Sequence, residues 1–60
     1  MNAVERLQEI KEMLASVDKH MAGNPGSAVT GVFVTENRIV VEIEHKTGNQ
    51  TNVTQFKVNL

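Results

Sequence analysis

The first third of the chain repeats apolar residues at intervals of three or four. They are Val4, Leu7, Ile10, Leu14, Val17 and Met21. This spacing is typical of the buried stripe of an amphipathic α-helix. Asn2 can cap the helix, with Glu5 completing a capping box. Gly23 suits a left-handed residue at the helix end, and Pro25 prevents continuation. The pattern therefore predicts a helix over residues 3–22.

From residue 28 onward the composition shifts to β-branched residues. Three runs of strand-forming residues follow, at 28–35, 38–46 and 51–59. The linking segment 23–27 is rich in glycine, but it lacks the Lys-Ser/Thr pair of a phosphate-binding loop and no helix follows it. We interpret it as a helix stop and a chain reversal. The sequence thus predicts one α+β domain over residues 1–60, a single N-terminal amphipathic helix packed on a three-stranded antiparallel β-meander (αβββ, two-layer).

Two short turns set the register of the predicted strands. Glu36-Asn37 can form a two-residue hairpin turn, with Asn37 at positive φ, and Gly48-Asn49 can form another. Both turns place the same residues of the middle strand on one face, and the first also places Thr30 opposite Ile43. The predicted core face carries Val32, Val34, Ile39, Val41, Ile43, Phe56 and Val58.

The opposite face of the predicted sheet is not cleanly polar. Its apolar or small residues form the predicted interface, namely Val29, Gly31, Phe33, Val40 and Val53. Phe33 is expected opposite Val40, and a contiguous apolar patch at that position is typical of a contact surface.

Residues 28–35 contain no charge and no proline, and an edge strand of this composition favours pairing with another chain. Three dimer modes remain open from the sequence: pairing of first strands, packing of sheet faces about Phe33, and packing of helices through a stripe widened by Met13 and Ala15.

Chain length makes self-association the expected source of extra stability. Sixty residues lie near the lower limit of independent folding. The absence of cysteine excludes disulfides and thiolate metal sites, and it fits a reducing compartment. Oligomerisation is the remaining common way to stabilise so small a chain, so we expect a homodimer.

Charge and hydropathy argue against nucleic acid and membrane as partners. The net charge is −1, and only two residues are aromatic, which gives no basic patch or stacking platform. No stretch approaches the ~20 apolar residues of a membrane span. Glu5, Glu9 and Glu12 interrupt the apolar residues near the N-terminus, as no signal peptide would allow. We therefore expect a cytoplasmic protein.

Candidate chemistry is sparse, and we expect no catalytic, cofactor-binding or metal-binding residues. Glu42 and Glu44 share the outward sheet face, where two carboxylates would be solvated. His45 is predicted at the core-side rim of the sheet, opposite Asn52. There it is either a hydrogen-bonded structural residue or a candidate base or metal ligand. His20 falls in the last helical turn, where it complements the helix dipole.

These features favour a small non-enzymatic protein-interaction module, an adaptor or inhibitor of the size that bacteria or their phages encode. One alternative is a nucleic-acid-associated regulator whose basic residues converge in an oligomer. Those residues are Arg6, Lys11, Lys19, Arg38, Lys46 and Lys57. A third hypothesis is a ligand or enzyme site between subunits, built around His45 and Glu44. Nothing in the sequence names the partner.

Overall fold

The chain folds into one helix and one three-stranded sheet, and the computed structural model describes residues 2–60. The elements are α1 (Ala3–Gly23), β1 (Ala28–Val34), β2 (Arg38–Thr47) and β3 (Gln50–Asn59). The strands form one antiparallel sheet in the order β1-β2-β3, and α1 packs on one face of it. The predicted αβββ architecture is confirmed.

Side-chain caps define both ends of α1. Asn2 accepts a hydrogen bond from the backbone N–H of Glu5 at 2.9 Å, as an N-cap should. The prediction of a left-handed Gly23 is wrong, because Gly23 is the last helical residue and its φ is not positive. Asn24 ends the helix instead, since its side-chain amide donates to the carbonyl of His20 at 2.7 Å. Pro25 then prevents another turn.

Glycines with positive φ shape two of the connections. Between α1 and β1, Ser27 N–H donates to the carbonyl of Asn24 at 3.1 Å, and Gly26 has a φ of 89°. Proline before such a glycine is the signature of a type II turn. Gly48 has a φ of 64° at the first central position of the β2–β3 turn, which matches the predicted Gly48-Asn49 hairpin.

The β1–β2 turn is built differently from its prediction. Asn37 does not have a positive φ, so the expected left-handed residue is absent. The hydroxyl of Thr35 holds the turn, because its oxygen accepts from the backbone N–H groups of Asn37 at 3.2 Å and Arg38 at 3.1 Å. Serine and threonine hydroxyls form turns of this kind without any residue at positive φ.

The predicted register holds throughout the second hairpin and fails at one place in the first. Val34 pairs with Ile39 as predicted, and the pairing continues to Gly31 opposite Glu42. The register then shifts between Val29 and Gly31, so that Val29, not Thr30, lies opposite Ile43. A bulge adds one residue to a strand and reverses the faces of the residues beyond it. Val29 consequently moves to the core-side face of the sheet.

Within residues 2–60, five side chains form the buried core, and they come from α1, β2 and β3. They are Met13, Val17, Val41, Ile43 and Val58, with Ile10, Met21, Ile39, Phe56 and Leu60 partly buried against them. The prediction that Val32 and Val34 belong to the core is wrong, since 59% and 67% of these residues is exposed. A helix is about 10–12 Å wide, whereas neighbouring strands lie about 4.8 Å apart. One helix over β2 and β3 therefore leaves β1 uncovered.

The helix is also rotated from its predicted orientation. Met13 is buried at its centre, although it lies outside the predicted stripe. Val4, Leu7 and Leu14 belong to that stripe, yet they are exposed. The sheet contacts a neighbouring strip of the helix, and part of the predicted apolar stripe is exposed to solvent.

Candidate protein-interaction surfaces

Six of the eight exposed large apolar residues among those described lie on two surfaces, on opposite sides of the sheet. The outer patch consists of Gly31, Phe33 and Val40, on the face away from α1. The second surface, here called the corner, lies on the α1 side of the sheet. The corner consists of Leu7 and Leu14 on α1 and of Val29, Val32 and Val34 on β1. All five of these residues are exposed.

The outer patch is organised around the ring of Phe33. A Cβ atom on Gly31 would lie 2.9 Å from Cε2 and Cζ of Phe33, so the ring lies across the glycine. Phe33 pairs with Val40 as predicted, and 55% of Phe33 remains exposed. The ring fills the space that Gly31, without a side chain, leaves on this face, and the result is an apolar surface near one end of the sheet.

The predicted interface is not one contiguous patch. Val53 pairs with Glu44, four residues along β2 from Val40, and four residues span roughly 13 Å of strand. Glu42 occupies the same face between them. Val29 lies on the core-side face because of the bulge. The structure thus keeps Gly31, Phe33 and Val40 together and separates Val29 and Val53 from them.

Polar contacts border the outer patch. The carboxylate of Glu42 accepts from the hydroxyl of Thr30 at 3.3 Å and from the side-chain amide of Gln55 at 3.4 Å. These three residues link all three strands across the outer face. An apolar centre beside polar groups of this kind is the usual anatomy of a protein–protein interface.

The corner lies between one flank of α1 and the uncovered face of β1. The other flank of α1 faces the β3 edge, where Glu9 and Ser16 line a shallow groove of about 480 Å³ with Lys57 and Asn59. Leu7 precedes Glu9 by two positions and Leu14 precedes Ser16 by two, a rotation of about 200° in each case. Both leucines therefore lie on the flank directed toward β1.

The groove at the β3 edge has little that resembles a catalytic arrangement. Its hydroxyl, on Ser16, donates to the backbone carbonyl of Glu12 at 3.1 Å, a bond within the helix. Apolar side chains of Met13, Phe56 and Val58 form part of its lining. Of the groove's residues, Lys57 belongs to a functional hypothesis drawn from the sequence, as one of the six basic residues.

The two histidines have structural contacts. His45 lies opposite Asn52 as predicted, and its Nε2 is 3.2 Å from the carbonyl of Pro25, which ties β2 to the α1–β1 connection. Glu44 precedes His45 on the same strand and therefore points to the opposite face. Within one chain, Glu44 and His45 therefore lie on different faces of the sheet. The His20 ring packs edge-on against Phe56, with 5.5 Å between centroids.

Residues 2–60 contain no group of three or more His, Asp or Glu side chains placed to hold a metal ion. The basic residues remain dispersed in the described chain. Arg6, Lys11 and Lys19 lie on α1, whereas Arg38, Lys46 and Lys57 share the outer sheet face with Glu42 and Glu44.

Comparisons of the chain with protein-family models, with curated proteins and with solved structures give no match. In the part of the chain that the structure describes, no helix combines the length and the apolar character that crossing a membrane requires.

Proposed function

We propose that this chain is a non-enzymatic protein-interaction module that acts as a homodimer and binds another protein. One observation carries the proposal: within the described chain, eight large apolar residues are exposed and five are buried. Contiguous apolar surface on a small domain marks a site that another protein covers. An adaptor or inhibitor acts by occupying a surface, and it needs no reactive groups.

The outer patch supplies the surface for the other protein. Phe33 is a rigid aromatic side chain held flat by contact with Gly31, so it loses little conformational freedom on binding. Glu42, Thr30 and Gln55 form a hydrogen-bonded border beside it. Large side chains that fill a partner's pocket dominate the free energy of binding at most interfaces. Phe33 is the anchor on this face.

Substitution of Phe33 by aspartate tests this assignment. The partner is first captured from an extract of the source cells with the immobilised wild-type chain, then purified and titrated calorimetrically. We expect Phe33→Asp to weaken binding at least about tenfold, or ~1.4 kcal/mol. A charge in the centre of the contact would remain desolvated and unpaired.

Val53→Asp is the matched control, because Val53 lies on the same face with a similar exposure of 54% but outside the patch. It should change the affinity by less than about twofold. Far-UV circular dichroism verifies that both variants fold. Equal affinities for the wild type and Phe33→Asp would contradict the assignment of the outer patch.

A further inference from the structure

We infer that the corner is covered by a second copy of this chain, whose α1 lies beside the first α1 and over the uncovered β1. The inference rests on the proposed homodimer and specifies its surface. It uses the face that α1 leaves open, and the outer patch stays free for a different protein.

The chain exposes more surface than a compact monomer of its mass, as a subunit separated from its partner does. Its accessible surface is 4493 Å², whereas a monomer of 6.6 kDa exposes about 3,900 Å². Its radius of gyration is 12.9 Å, against about 10.4 Å for a compact domain of this length. The excess surface of roughly 600 Å² approaches the ~800 Å² that each partner contributes to a stable interface. A second copy is a partner of the right size.

The uncovered face of β1, beside α1, has the width that a second helix needs. Packed helices lie about 8–10 Å apart, and strands about 4.8 Å apart. A second α1 at that distance from the first would therefore lie above β1, since the first covers β2 and β3. A two-fold axis parallel to α1 produces this arrangement for both subunits at once. Two helices then lie between two sheets, and each helix covers the β1 strand of the other subunit.

The sequence of α1 suits contact on three sides. Met13 and Val17 face their own sheet. Leu7, Leu14 and Met21 recur every seven residues on the flank, as in the seam of paired helices. Ala15 and Ala22 lie about 160–180° around the axis from Met13, and their small side chains allow close approach to β1 of the partner. Lys11 and Asp18 interrupt the flank, and charges at such positions fix the register of paired helices at some cost in stability.

Two other dimer modes fit the structure less well. The bulge between Val29 and Gly31 interrupts the exposed edge of β1, and bulges at sheet edges discourage strand pairing. The outer patch has only Phe33 and Val40 as large apolar residues. Neither mode covers Leu7, Leu14, Val32 and Val34 together.

Neighbouring residues on opposite faces of β1 provide the test. Val32 belongs to the corner and Phe33 to the outer patch. We would measure the dimer dissociation constant by sedimentation velocity over a wide dilution series for the wild type, Val32→Asp, Leu14→Asp and Phe33→Asp. The first two substitutions should raise the constant at least about thirtyfold, and Phe33→Asp should leave it within about threefold of wild type.

Each other outcome identifies which proposal fails. A wild type that is monomeric at every concentration overturns the homodimer and this inference together. If Phe33→Asp also dissociates the dimer, if only one of Val32→Asp and Leu14→Asp does so, or if none of the three does, self-association stands and the assignment of the corner is overturned. Since Val32 and Leu14 are exposed, the variants should fold, and circular dichroism verifies this.

Cross-linking supplies a second measurement that needs no disruptive charge. The chain has no cysteine, so Leu14→Cys and Phe33→Cys each introduce a unique thiol. Leu14 faces its own copy across the proposed axis, so mild oxidation should join Leu14→Cys chains into covalent dimers while Phe33→Cys chains stay largely unlinked. The reverse pattern overturns the inference.

Discussion

Single side chains determine the connections between the elements. Thr35 organises the β1–β2 turn through its hydroxyl, and Asn24 closes α1 through its amide. Gly48 supplies the one positive φ of the β2–β3 turn. Each connection depends on a specific residue, so each has a substitution whose effect on stability can be anticipated.

Gly48 and Gly23 form a matched pair for such a test. Beyond the neighbouring backbone, no atom lies within 4 Å of an alanine Cβ at either position, so the backbone conformation decides the outcome. Gly48→Ala should lower the free energy of unfolding by about 1–2 kcal/mol, because L-residues are strained at positive φ. Gly23→Ala should raise it by up to ~1 kcal/mol, because alanine favours the helix. Urea denaturation measures both changes, and equal signs would contradict the assigned backbone conformations.

At the level of the elements, the width of α1 decides which apolar residues are covered. The helix covers two strands, so Val41, Ile43 and Val58 are buried while Val32 and Val34 are exposed. On the helix itself, the covered strip centres on Met13 and Val17.

Substitutions at Met13 and Val4 test whether α1 has this orientation or the one that the apolar spacing predicts. Met13→Ala should cost about 2–5 kcal/mol of stability, since it removes a buried side chain from the core. Val4→Ala should cost less than about 0.5 kcal/mol, because 75% of Val4 is exposed. Chemical denaturation measures both variants. A larger loss for Val4→Ala would show that the stripe read from the sequence is the buried one.

Local signals made the fold predictable from the sequence. Asn2, Pro25 and Gly48 act within a few residues of their own positions, and the Gly48-Asn49 turn set the full register of the second hairpin. The bulge at Thr30 has no comparable signature, since it depends on the alignment of two strands. The turn held by Thr35 is local, but threonine is also common inside strands, so its presence alone does not predict a turn. The division of the predicted interface followed from that bulge and from strand geometry. Apolar spacing identifies side chains that avoid water, but it does not say whether their own chain or another covers them.

At the scale of the whole molecule, an elongated form of 44 × 20 × 10 Å leaves much of the chain near a surface. The described residues include five buried side chains, a small core for a chain of 60 residues. Stability of the proposed dimer then includes the free energy of association, which depends on protein concentration.

The thermal midpoint should therefore rise with concentration for the wild type. Each tenfold increase in protein concentration favours the folded dimer by about 1.4 kcal/mol per dimer. In a domain this small, that change raises the midpoint by several degrees. Val32→Asp should show a much smaller rise over the same concentrations, because its dimer is expected to be at least about thirtyfold weaker. Differential scanning calorimetry over a dilution series measures both, and a constant wild-type midpoint would argue against a dimer coupled to folding.

The bulge in β1 has one more consequence, which concerns aggregation. Ala28–Val34 has no charge and no proline, the composition of segments that stack into cross-β fibrils. Fibril growth needs a straight strand whose backbone groups are spaced to pair with identical copies. With Thr30 inserted and its hydroxyl bound to Glu42, β1 does not present that regular template while the chain is folded. The extra residue in β1 thus protects an apolar edge strand from fibril formation while the chain is folded.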